Sequence, residues 1–174
     1  AATIDALREQ GIQSQILSGD SPTAVATIAG QCNISDHFAR HSPQQKLSHL
    51  QALQSRGARI AVVGDGVNDA PMLGAADVAI AMGRGAALAH AGAGLVLVND
   101  HLPALPQAVA LARRTLRIAR QNLLWAAAYN LGCLPLAALG FIPPWLAAAG
   151  MSLSSIGVVL NAPRLLPATQ QPPA

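Results

Sequence analysis

The stretch that most constrains this chain is Ile60-Ala61-Val62-Val63, which runs directly into Gly64-Asp65-Gly66-Val67-Asn68-Asp69-Ala70-Pro71. Small and β-branched apolar residues that end on glycine and aspartate predict a buried parallel strand with polar groups collected at its carboxyl end. Open α/β sheets keep their chemistry at that end. Asp65 and Asp69 put two carboxylates on one short loop, and Gly64 and Gly66 let the backbone approach a ligand closely. That combination suits a hard divalent cation holding phosphate oxygens, with magnesium the natural occupant. Taken alone, Gly-Asp-Gly is also an ordinary turn.

The flanking segments build the same class of fold. Thr3 to Gln10 predicts an amphipathic helix stopped by Gly11, and Ile12 to Leu17 alternates into a strand that ends at Ser18-Gly19-Asp20. The Ser18 hydroxyl can bond a phosphoryl oxygen while Gly19 removes steric obstruction. Ser21-Pro22 reads as the start of a helix that continues from Ala24 to Cys32, and both readings hold together. His37 to Arg40 predicts a brief strand. Ser42-Pro43 opens a helix whose Leu47, Leu50 and Leu53 share a buried face and which Gly57 ends. Lys46 sits in its first turn, where a cation opposes the helix dipole unless an anion lies close by. Further on come a short helix at Ala70 to Ala75, a strand at Asp77 to Met82, a turn at Gly83-Arg84-Gly85, a weak helix at Ala86 to Ala91 and an edge strand at Gly94 to Val98. Strands alternating with helices at this spacing predict a parallel α/β sheet. His37, His41, His49, His90 and His101 show no metal-ligand spacing and read as surface or packing residues.

From Leu102 onward the texture changes. Gln107 to Arg120 predicts a helix with Arg113, Arg114, Arg117 and Arg120 toward its end, and Gln121 to Pro163 then holds no Asp, Glu, Lys, Arg or His. That is enough for two membrane spans of about twenty residues each, divided at Gly140-Phe141-Ile142-Pro143-Pro144-Trp145. Composition agrees: 52% of the 174 residues are apolar and 11% charged, against about 25% charged in soluble domains. Arg120 and Arg164 flank the stretch and no cation lies in its turn, so both ends are expected in the cytoplasm. Leu165 to Ala174 is expected to be a disordered tail. The net charge of +3 comes without a basic stripe interleaved with aromatics, which argues against nucleic acid. Cys32 and Cys133 lie too far apart to suggest a disulfide framework or a zinc knuckle.

The octapeptide Gly64 to Pro71 resembles the signature of the P-type ATPases, a branch of the haloacid-dehalogenase-like phosphotransferases. The resemblance implies that Asp65 binds the magnesium serving an aspartyl-phosphate and that Asp69 supports the loop around it, with Asn68 between them. Ser18-Gly19-Asp20 is similar to the family's Thr-Gly-Asp motif, with the hydroxyl kept, which gives Ser18 a phosphate contact. Pro43-Gln44-Gln45-Lys46 is similar to its Pro-x-x-Lys element, which gives Lys46 the task of neutralising the transferred phosphoryl group; a surface lysine is the plain alternative. In the uncharged stretch, Tyr129-Asn130 and Met151 with Ser154-Ser155 resemble the last two transmembrane helices of copper-exporting heavy-metal ATPases. By position the ion-coordinating set is Tyr129, Asn130, Met151 and Ser155, with Cys133 one helical turn away and Pro135 placed to bend the helix. Thioether sulfur suits copper(I), although methionine and serine also serve as ordinary packing and glue between membrane helices.

The resemblance implies residues 1–106 as the C-terminal part of the phosphorylation domain, 107–120 as a coupling helix, 121–163 as a transmembrane hairpin and 164–174 as the tail. It implies magnesium and ATP, the latter bound mainly by domains that are absent, copper(I) as cargo, and membrane lipid, the N-terminal remainder and a copper chaperone as partners. The expected setting is a multi-pass protein of the bacterial inner membrane with its soluble part cytoplasmic. No Asp-Lys-Thr-Gly-Thr occurs, so the phosphorylated aspartate is absent. The sheet is therefore expected to lack a central strand between those ending at Asp20 and Asp65, and the chain alone is expected to be inactive. Rival expectations are a split-gene or truncated membrane fragment needing a complementary polypeptide, and a transporter of another soft cation such as silver(I). Zinc would call for a carboxylate or lysine in the spans, and neither occurs there.

Overall fold

A computed structural model describes residues 1–65, 67–83, 93–141 and 143–165, and divides them into two compact units, Ala1–Gln107 and Ala108–Ala174. The first unit opens with α1 (Ala2–Glu9), closed by Gly11 at φ +77°. Strand β1 (Ile16–Leu17) is shorter than the alternating run Ile12 to Leu17 predicts, because its parallel pairing with β2 (His37–Phe38) lasts two residues. Between them, α2 (Pro22–Cys32) begins where the Ser21 hydroxyl accepts the Ala24 N–H at 3.4 Å. Helix α3 (Pro43–Ser55) carries a full capping box: Ser42 Oγ accepts the Gln45 N–H at 3.3 Å, and Gln45 Oε1 accepts the Ser42 N–H at 2.8 Å. Such a cap contributes about 1 kcal/mol and fixes where the first turn points.

The chain then forms β3 (Ala61–Gly64), a 3-10 turn (Val67–Asp69), α4 (Ala70–Ala75), β4 (Val78–Met82) and β5 (Leu95–Leu97). These strands are parallel in the order β3-β4-β5, with Val62 opposite Ala79 and Ala81 opposite Val96. Strands β1 and β2 form a separate parallel pair, and β1 is not bonded to β3. The weak helix expected at Ala86 to Ala91 and most of the turn before it lie outside the described residues.

Alternation along β4 divides the core. Ala79 and Ala81 join Leu50, Val62 and Leu73 beneath α3 and α4, while Ile80 packs with Leu97 and Leu105. Leu105 belongs to the first turn of α5 (Ala104–Ala138), which begins in the first unit and continues in the second. The apolar run of β3 predicts burial on both faces, and this is corrected by the structure: Val62 is 5% exposed but Val63 is 41% exposed. Val62 lies beneath α3 and α4, whereas on the opposite face the first turn of α5 packs against Ile80 and Leu97 of the neighbouring strands.

In the second unit α5 is followed by α6 (Pro144–Asn161) and a 3-10 turn (Ala162–Leu165). Gly140, at φ +79°, helps turn the chain between them. The helices touch at their open end, where Asn161 Nδ2 donates to Asn122 Oδ1 at 2.8 Å. Pro135 lies inside α5 without ending it. Two helices thus occupy the place of the expected transmembrane hairpin, but among the described residues no helix is long and apolar enough to cross a membrane. Gln121, Asn122, Tyr129 and Asn130 dilute α5, and Ser152, Ser154 and Ser155 dilute α6. Arg164 and Leu165, expected in a disordered tail, lie in the 3-10 turn, and residues 166–174 are outside those described.

Asp77 ties three elements of the first unit together. Its carboxylate accepts the Ile60 N–H at 2.9 Å, Gln54 Nε2 at 3.3 Å and Arg59 Nη1 at 3.3 Å. The Ile60 N–H first, then Gln54, with the Arg59 charge adding to both, hold its pKa below the ordinary carboxylate value. A depressed folded value gives stability that is present above the unfolded pKa and lost as pH falls through the folded one. Asp77→Asn is therefore expected to flatten the loss of stability on acidification from about pH 5 to pH 2, where the parent chain weakens steadily. Urea denaturation across that range measures it, and parallel acid limbs for the two proteins would contradict the assignment.

Candidate active site and ion site

Asp65 follows β3 directly and is exposed, as is Asn68 on the 3-10 turn. Gly66 is outside the described residues. Asp69 stands at the N-cap position of α4 but makes no side-chain cap bond there. Its Oδ1 instead accepts Lys46 Nζ at 2.9 Å, with the two side chains 16% and 12% exposed. This answers the electrostatic problem posed by a lysine in the first turn of α3: the compensating anion is Asp69. A pair so little hydrated resists separation, because losing one partner strands the other charge away from water.

Gly64 also has a packing role. A Cβ on it would lie 2.9 Å from Asp69 Cβ and 3.3 Å from Asp69 Oδ2. The missing side chain makes room for Asp69, which can then reach Lys46.

At the end of β1, Ser18 Oγ donates to Asp20 Oδ2 at 2.8 Å and accepts the Asp20 N–H at 3.2 Å. The loop is pinned from β2: Ser18 N–H donates to Phe38 O, His41 N–H to Ser18 O and Arg40 N–H to Asp20 O, at 2.9, 2.9 and 3.0 Å. A Cβ on Gly19 would meet only His41 O at 3.5 Å, an ordinary van der Waals contact. Phe38 lies between His41 and His49, with ring centroids 5.7 and 4.5 Å away. His49 is on α3, one turn beyond Lys46. These rings connect the serine loop to the lysine helix, a role that the sequence reading missed; the signal was His49 lying three residues from Lys46 on a helix.

Among the described residues no three His, Cys, Asp or Glu side chains gather as metal ligands. Magnesium does not need them, since it keeps several waters and takes one or two carboxylates beside phosphate oxygens. Asp65, exposed at a strand end, fits that requirement. Asp69 is committed to Lys46, so it supports the loop in preference to offering a free carboxylate.

The candidate ion residues lie on α5 and α6. Tyr129 on α5 hydrogen-bonds with the Cys133 thiol and packs over Gly150 of α6, where a Cβ would lie 2.5 Å from the phenolic oxygen. Ser155 Oγ donates back to Met151 O at 3.0 Å. Asn130, Met151 and Ser155 are exposed, Met151 by 66%. The structure thus brings Tyr129 to α6 at Gly150, the residue before Met151. Cys133 stands one turn from Tyr129 as its position in sequence implies, and Gly150 is the unforeseen contact.

Comparison with known proteins supplies relatives for both regions. Residues 1–77 match the haloacid dehalogenase-like hydrolase family. A copper-exporting P-type ATPase of Staphylococcus aureus is 43% identical over 93% of this chain and 20% of its own length. A cation-transporting P-type ATPase B of Mycobacterium bovis is 42% identical over 95% of this chain and 22% of its own length. The crystal structure of a zinc-transporting PIB-type ATPase in the E2.Pi state matches 96% of this chain and 27% of its own, with a TM-score of 0.89 and 37% identity. The homologues of this chain are thus copper-exporting and other cation-transporting P-type ATPases, and its α/β unit has the haloacid-dehalogenase-like parallel-sheet fold. The chain spans about a fifth of the length of the curated relatives it matches.

The packing of Gly64 is open to a direct test. Gly64→Ala is expected to destabilise the chain by about 1–3 kcal/mol in chemical denaturation, since the new methyl overlaps Asp69. Gly19→Ala, which meets open space, is expected to stay within about 0.5 kcal/mol of the parent. Equal stabilities for the two variants would remove the argument.

Proposed function

We propose that this chain is the C-terminal part of a copper(I)-translocating P-type ATPase, comprising the end of its phosphorylation domain, a coupling helix and its last pair of membrane helices. The observation that carries this reading is Lys46 held against Asp69 beside the exposed Asp65 at the carboxyl end of β3. Phosphoryl transfer needs little from a protein except positioning and neutralisation of charge on the moving group. On this reading Asp65 holds magnesium, which when bound offsets charge on phosphate oxygens. Lys46 turns its ammonium toward the same group, and Asp69 keeps that ammonium and the turn from Val67 to Asp69 in place. Ser18 gives up its bond to Asp20 and donates to a phosphoryl oxygen, with Gly19 and Asp20 completing the loop and Asn68 beside the metal loop. The phosphoryl acceptor comes from sequence beyond this chain, because Asp-Lys-Thr-Gly-Thr occurs nowhere in it.

Tyr129, Asn130, Met151 and Ser155 are proposed to bind the cargo ion once neighbouring helices enclose α5 and α6. A thioether with neutral oxygen donors suits a soft monovalent cation, copper(I) or silver(I). Zinc is disfavoured because residues 121–163 contain no Asp, Glu or Lys. The part of α5 beyond Arg120, together with α6, is placed in the bilayer even though its helices are only moderately apolar. Their polar groups are uncharged, and such groups are tolerated in a membrane where they face other helices or an ion path. The proposal makes the first unit cytoplasmic in a bacterial inner membrane, with the N-terminal remainder and a copper chaperone as partners.

In vesicles containing the complete transporter, Asp65→Asn is expected to lower copper-stimulated ATP hydrolysis by about 100-fold or more. Two glycines inserted after Arg117 are expected to leave hydrolysis in place and abolish copper uptake, because α5 is continuous through that point. The chain alone in detergent is expected to show no metal-stimulated turnover. Full activity in Asp65→Asn, or turnover by the isolated chain, would refute the proposal.

A further inference from the structure

The charge pattern of the second half of the chain is one-sided. No Asp or Glu occurs after Asp100, while Arg113, Arg114, Arg117, Arg120 and Arg164 all do. Arg113, Leu116, Arg117, Arg120, Gln121 and Leu124 line an open groove of about 360 Å³ along one face of α5. Their spacing of three and four residues puts guanidinium groups and leucines on the same stripe. Leu124 is 70% exposed.

A second feature brings a further cation to the same end of the helix pair. Asn161 Nδ2 donates to Asn122 Oδ1 at 2.8 Å, and Arg164 Nη1 donates to Asn161 Oδ1 at 3.2 Å. Arg164 is thereby tethered through Asn161 to a residue next to Gln121. Arg120 immediately precedes the uncharged stretch. At a rise of 1.5 Å per residue, Arg117 stands about 6 Å outside Gln121. The headgroup layer on each side of a bilayer is about 5–8 Å deep, so Arg117 and Arg120 fall inside it.

We infer that the groove on α5 binds the phosphate headgroup of an anionic phospholipid, with Arg117 and Arg120 as its direct partners, Arg164 adding positive potential and Leu124 meeting the acyl chain. The inference rests on the proposed placement of this helix pair in a bilayer. The occupant is a lipid and not free phosphate, because the cationic stripe runs without interruption into exposed leucine and then into the uncharged stretch. Clustered arginines next to a membrane helix attract anionic lipid with an energy that adds per charge.

The test uses the full chain reconstituted in vesicles of phosphatidylcholine with and without phosphatidylglycerol, followed by native mass spectrometry of retained lipid. The expected result is a preference for phosphatidylglycerol of about tenfold or more, falling to near unity in Arg117→Ala/Arg120→Ala and persisting in Arg117→Lys/Arg120→Lys. Inorganic phosphate at millimolar concentration is expected not to displace the lipid. An unchanged preference in the alanine variant, or displacement by inorganic phosphate, overturns the lipid site and leaves the transporter reading intact. Failure of the chain to enter phosphatidylcholine vesicles at all overturns both.

Discussion

The ion pair between Lys46 and Asp69 is the constraint to which the rest of the first unit is fitted. It joins the start of α3 to the loop after β3, and each side has its own precondition. The capping box on Ser42 and Gln45 aims the first turn of α3, and the bare Cα of Gly64 lets Asp69 lie over the strand end. With side chains 12% and 16% exposed, the pair is worth more than a surface contact, on the order of 1–3 kcal/mol for a charged hydrogen bond. The contrast is Arg59 with Asp77, where the arginine side chain is 90% exposed and water screens most of the attraction. Asp77 is held by the Ile60 N–H and Gln54 more than by the arginine charge.

Local signals of this kind were readable in advance. Ser21-Pro22 and Ser42-Pro43 begin helices as their chemistry requires, and Ala70–Ala75 and Val78–Met82 form where periodicity and β-branching place them. The strand ends that bear Ser18 and Asp65 were also legible, because glycine, hydroxyl and carboxylate after an apolar run have few other uses. What could not be read was tertiary. Nothing local to Gly64 reports that Asp69 will occupy the space beside it, and nothing local to Val63 reports that its side chain stays 41% exposed. Tyr129 over Gly150 and Asn122 with Asn161 are likewise meetings of distant residues. Only the distance of each from the other in sequence hid them.

The second unit shows how polar side chains offset apolar character. Gln121, Asn122, Tyr129 and Asn130 on one helix and three serines on the other lower its affinity for hydrocarbon, yet the absence of any formal charge from Gln121 to Pro163 keeps the cost of burial moderate. Several of these groups already have partners: Ser152 and Ser155 donate back to the carbonyls of Ala148 and Met151, and Asn122 accepts from Asn161. Internal satisfaction of this sort lets a helix carry hydroxyl and amide groups away from water.

The split of the strands into a pair and a triplet has a consequence for handling the molecule. Among the described residues no strand pairs with the outer flank of β3, a short and partly uncovered strand, and none pairs with the outer flanks of β1 and β2. Such flanks recruit any extended peptide within reach. At high concentration the chain should therefore cohere with itself in a directional way, through added strands and not through its oily helices alone, so detergent by itself will not keep it monodisperse.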